Sequence, residues 1–83
     1  MKHKYVRHSA LGFALFPADT ELAHSDIAYM MRHKAGGGEI VSAGFVWITP
    51  NTVIIEGRSE SLNVGPASDD ASALKEQLGC FRR

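Results

Sequence analysis

Residues 34–48 read KAGGGEIVSAGFVWI, and the fold turns on how this stretch is divided. Three glycines in a row either stop a helix or cradle a ligand, and the run behind them is apolar at almost every position. In residues 39–48 the alternation of a strand sends Ile40, Ser42, Gly44, Val46 and Ile48 one way. Val41, Ala43, Phe45 and Trp47 go the other way, so neither set is polar. A strand in a sheet with one wet face should alternate apolar with polar. Burying a Trp and a Phe together is worth on the order of 4 to 5 kcal/mol, a large part of a small domain's stability. Something must therefore cover Phe45 and Trp47. Helices on opposite faces or an N-terminal segment folded over the back would do so from within the chain. A homodimer or partner interface on the side of Val41, Phe45 and Trp47 would do so from outside.

Upstream, Ile27, Met30 and Met31 repeat at helical spacing, and Lys34 extends their stripe with its stem. Ser25 is the expected N-cap, with Thr20 and Glu21 as an earlier start. Asp26 suits the positive end of the helix dipole and Arg32, His33 and Lys34 the negative end. Gly36 to Gly38 then fall where a left-handed residue ends a helix. Phosphate loops place glycines before a helix, and neither GxxxxGK[ST] nor GxGxxG occurs, so the glycines are read as a helix stop.

Downstream, 49–51 form a turn built on Pro50 and Asn51, which makes 39–48 and 52–62 a hairpin. Residues 63–67 are a loop, Ser68 is a candidate N-cap, and a second helix is expected over 69–78, ended by Gly79. Nearer the N-terminus, 11–16 read as a short buried strand whose start reaches back to Tyr5, with Gly12 as a bend. The predicted fold is α+β, of βαββα order, with a mainly antiparallel three-stranded sheet and both helices on one face.

The chain has 83 residues, enough for a single domain. A domain of this size buries only about 60 to 65 % of the surface that its unfolded chain exposes, which favours self-association. Nine basic and nine acidic residues cancel, so no overall field draws the protein to nucleic acid or anionic lipid. The basic residues gather in an N-terminal segment, 1–9, and a C-terminal tail, 80–83, expected to be solvated ends. Cys80 is the single cysteine, which excludes an internal disulfide and any CxxC motif, and a reducing, cytoplasmic setting fits best. The apolar part of the N-terminus is too short for a signal peptide, and no run reaches membrane-spanning length.

Chemistry-bearing patterns are sparse. His24 and His33 lie too far apart for one helical face, and the four histidines read as surface or capping residues, so no metal or cofactor is expected. Cys80 sits past a helix end, where nothing activates a thiol. Glu56 and Glu60 lie about 13 Å apart along a strand, too far for a glycosidase pair by themselves.

The ordered strings GFALFP, HSDIA, GGGEIVSAGFVWI and GRSESL resemble a group of small uncharacterised proteins encoded by prophages and integrative elements. The resemblance runs from residue 11 to about 79. It carries no activity or catalytic residue; it implies a mobile-element setting, in which short single-domain proteins often bind a host protein. The leading expectation is a non-enzymatic interaction or regulatory module, a homodimer rather than a monomer, using Val41, Phe45 and Trp47. The alternative is a nucleic-acid-binding module using Lys2, Lys4, Arg7 and Arg58 with the sheet aromatics. A small-molecule enzyme ranks third.

Overall fold

The structure, a computed structural model, describes residues 2–79. Its elements are β1 (Lys2–His8), β2 (Gly12–Pro17), α1 (His24–Ala35), β3 (Ile40–Ile48), β4 (Val53–Glu56) and α2 (Asp70–Leu78). The α+β class stands. The order is corrected to ββαββα, because the residues read as one first strand are a hairpin, β1 and β2, folded at residues 9–11. The sheet has four strands in the order β2-β1-β3-β4, where three were expected, and every neighbouring pair is antiparallel. The basic N-terminal segment is therefore a central strand, with Tyr5 and Val6 fully buried. The C-terminal tail, with Cys80, lies outside the described residues.

The expectation of both helices on one face is also corrected. Tyr5, Phe13, Val46 and Val53 pack with Leu74 of α2, whereas Val6, Phe16 and Ala43 pack with Ala28 and Met31 of α1. Tyr5 and Val6 are consecutive, and so are Phe13 and its α1-side neighbour Ala14, so the two cores lie on opposite faces of one sheet. This explains why β3 is apolar twice. Val46 and Ile48 serve the α2 side, and Ala43 serves the α1 side. A bulge opposite Arg7 and His8 inserts Val41 as an extra residue and lets Ile40 join the α1 side, which simple alternation would have denied it.

Helix α1 begins one residue before the expected cap. The Asp26 carboxylate accepts the Ala23 N–H at 2.8 Å, so no serine cap is needed. It ends as expected at Gly36, whose φ of 74° turns its N–H back to the carbonyls of Arg32 and His33. Two residues on, a Cβ at Gly38 would meet the His8 ring at 2.6 Å. The buried His8 ring closes this corner: Nε2–H donates to Gly37 O at 2.7 Å, while Nδ1 accepts the N–H groups of Ala10 and Leu11.

The β3–β4 hairpin forms as read, but β4 stops at Glu56, well short of residue 62. Beyond it a single bridge pairs Ser59 with Val64, and this tight loop sends Leu62 and Val64 against the α1-side core. Helix α2 starts at Asp70 without a serine cap. Its Asp70 carboxylate instead accepts the Ala67 N–H at 2.8 Å.

Candidate functional site

The most concentrated polar chemistry lies inside, at the start of α2. Asp70 is fully buried, and each of its oxygens accepts two hydrogen bonds. Oδ1 takes Ser42 Oγ–H at 2.8 Å and an Arg7 N–H at 3.0 Å. Oδ2 takes the Tyr5 hydroxyl and the Ala67 N–H. Burial, with the Asp70 carboxylate beside it, pushes the Tyr5 phenol far above its ordinary value and keeps it a donor. The hydrogen bond from Arg7 to Asp69 holds the guanidinium charged and draws the Asp69 carboxyl below its usual range. With all four acceptor positions of Asp70 used and its carboxylate fully buried, this constellation ties α2 to β1 and β3. No sequence signal announced it, because its members lie up to 65 residues apart. Among the described residues, no pocket opens and no group of three or more His, Cys, Asp or Glu could hold a metal ion.

The residues expected to carry recognition are distributed as follows. Val41 is 46 % exposed, in the bulge, about 20 Å along β3 from Trp47. Phe45 is half-buried by its own chain: the His24 ring meets it edge-on at 5.3 Å, and the backbone at Gly57 closes on the ring. Trp47 stays 41 % exposed. The register sets it beside Ile54, which is 52 % exposed, so Trp47 and Ile54 form an apolar pair on the α1 side of β3 and β4. Ile54 was absent from the expected interface, although a four-residue connection over 49–52 places it opposite Trp47.

Lys2, opposite Trp47, completes this surface. Its Nζ lies 3.3 Å from Glu56 Oε2 and over the Phe45 ring at 4.8 Å. The Trp47 indole N–H donates to the same Glu56 oxygen at 3.1 Å. Together these bonds, the indole's first, draw the Glu56 carboxyl below its usual range. Of the other basic residues expected to bind, Lys4 shares the face of Lys2, two residues along β1, and Arg7 does not. Lys4 donates to the carbonyls of Leu22 and Thr20, Arg58 to Asn63 Oδ1, and Arg7 points to the opposite face against Asp69 and Asp70.

The sheet edges differ. Gln77 caps the β2 edge at Phe13, with Oε1 accepting the Phe13 N–H at 2.8 Å and Nε2 donating to Phe13 O at 3.0 Å. Pro17, lacking an N–H, ends the same strand. The opposite edge is β4, which carries Ile54.

Comparison with known proteins finds no matching protein family, curated protein or solved structure. Among the described residues, no helix is long and apolar enough to cross a membrane.

Proposed function

We propose that the chain is a non-enzymatic protein-interaction module that docks through the sheet face bearing Trp47 and Ile54. The observation that supports this most is the exposed apolar pair itself, held in fixed register on two hydrogen-bonded strands. Aromatic anchors on rigid elements lose little conformational entropy on binding, and they dominate interface energetics. Covering the remaining exposed surface of both side chains is worth roughly 2 to 3 kcal/mol. In the mobile-element setting that the sequence resembles, the partner is a host protein.

A second reading, self-association as a homodimer, is favoured by the edges: Ile54 of the apolar pair lies on the β4 edge strand, which Gln77 does not cap. The nucleic-acid reading has less support, because Arg7 stands on the other face from Lys2 and Lys4 and is held by two carboxylates.

The test is sedimentation of the purified protein over a range of concentrations, alongside affinity capture from the native host with identification of what is retained. Ile54→Asp is the comparison variant. A specific partner, or a mass above the monomer, that Ile54→Asp abolishes while keeping the native circular dichroism is the expected result. A monomer at every concentration that retains nothing beyond what Ile54→Asp retains would overturn the proposal.

A further inference from the structure

The docking face holds more than apolar surface. Around Lys2 Nζ stand the Phe45 ring at 4.8 Å, the Trp47 ring at 6.0 Å and Glu56 Oε2 at 3.3 Å. The Trp47 N–H, bonded to that same oxygen, fixes the indole against the carboxylate. Two aromatic groups and one carboxylate around a cation have the composition of an ammonium receptor. The register assembles it from three adjacent strands, with Lys2 opposite Trp47 and Phe45 opposite Glu56.

We propose that Phe45, Trp47 and Glu56 form an ammonium-binding site that Lys2 fills in the free protein and that a lysine side chain of a protein partner fills in the complex. This rests on the reading of the face as a docking surface. The exchange replaces one ammonium by another, so no charge is left unpaired in the site. The Lys2 side chain is 39 % exposed and stands at the start of β1, so it leaves by rotating into water while its backbone stays in the sheet. Ile54, opposite Trp47, offers apolar surface to the incoming stem. A lysine suits the site better than an arginine. A guanidinium binds best in a fork to both carboxylate oxygens, and here Oε2 is already shared with the indole.

Trp47 is the only tryptophan, so its fluorescence reads the site directly. The probe is Nα-acetyl-lysine methylamide, titrated into the full chain at constant ionic strength, with its neutral Nε-acetylated counterpart as control. Lys2→Gln, and Lys2→Met as a second variant that keeps an apolar stem, are expected to bind the charged probe about fivefold more tightly than the wild type. Glu56→Gln in the Lys2→Gln background is expected to lose that gain, and the neutral probe to give no response. Equal responses in wild type and both Lys2 variants, or an equal response to the neutral probe, would overturn the ammonium site. Sedimentation separates the two proposals, since the small probe is expected to give its response in Lys2→Gln whether or not the chain associates. Loss of the response counts against the site, and absence of association in the wild type counts against the docking face.

Discussion

His24 shows what a single residue can hide in a sequence. Read as a capping or surface histidine, it is instead buried, with its Nε2–H donating to Gly44 O at 2.8 Å and its ring edge-on to Phe16 and Phe45. Nothing local signals this, since its neighbours come from two distant strands. Burial, aided by nearby Lys4, lowers its pKa and keeps the ring neutral. The unfolded chain, with an ordinary value of about 6.5, binds that proton at higher pH than the folded one. The resulting stabilisation is complete above that value and is lost as pH falls through it toward the folded pKa. Urea midpoints of the wild type should therefore drop between pH 7 and pH 5 more steeply than those of His24→Gln, whose amide can still donate to Gly44. Identical slopes in the two proteins would rule out this role.

At the level of elements, the legible parts were those set by short-range chemistry. Pro50 and Asn51 marked the β3–β4 turn, and the last turn of basic residues before Gly36 marked the end of α1. The first hairpin was missed because β1, KHKYVRH, is so rich in basic residues that it reads as a solvated tail, with only Tyr5 and Val6 apolar ahead of the turn at residues 9–11. The bulge at Val41 was equally invisible, since it depends on the pairing partner. Edge protection is likewise a long-range property. Gln77, on the last turn of α2, satisfies both outward backbone groups of Phe13. Gln77→Ala removes two hydrogen bonds, and it should lower stability by about 1 to 2 kcal/mol. It should also leave β2 open to pairing, so light scattering should grow with concentration. An unchanged urea midpoint together with unchanged scattering would show that Gln77 does neither.

For the whole molecule, composition and periodicity were enough for an α+β class, but they could not place the helices, because that depends on which face of β1 each helix meets. The doubly apolar β3 pointed to the answer: a sheet with a helix on each side needs apolar residues on both faces. The two cores are thus joined through single strands, with Tyr5 in one and Val6 in the other, one peptide bond apart. A disturbance on one side should therefore be felt on the other. Leu74 is fully buried on the α2 side, and Leu74→Ala should cost about 2 to 5 kcal/mol. That is a large fraction of the roughly 4 to 12 kcal/mol expected for a chain of this length. Trp47 lies on the α1 side, out of the Leu74 core. If the sheet makes the two cores one cooperative unit, Trp47 fluorescence and far-ultraviolet circular dichroism should lose native signal at one shared urea midpoint. Leu74→Ala should shift both midpoints equally. A fluorescence transition left at the wild-type midpoint while the dichroism moves down would show instead that α2 and its core unfold alone, leaving the Trp47 face standing on β1, β3 and α1.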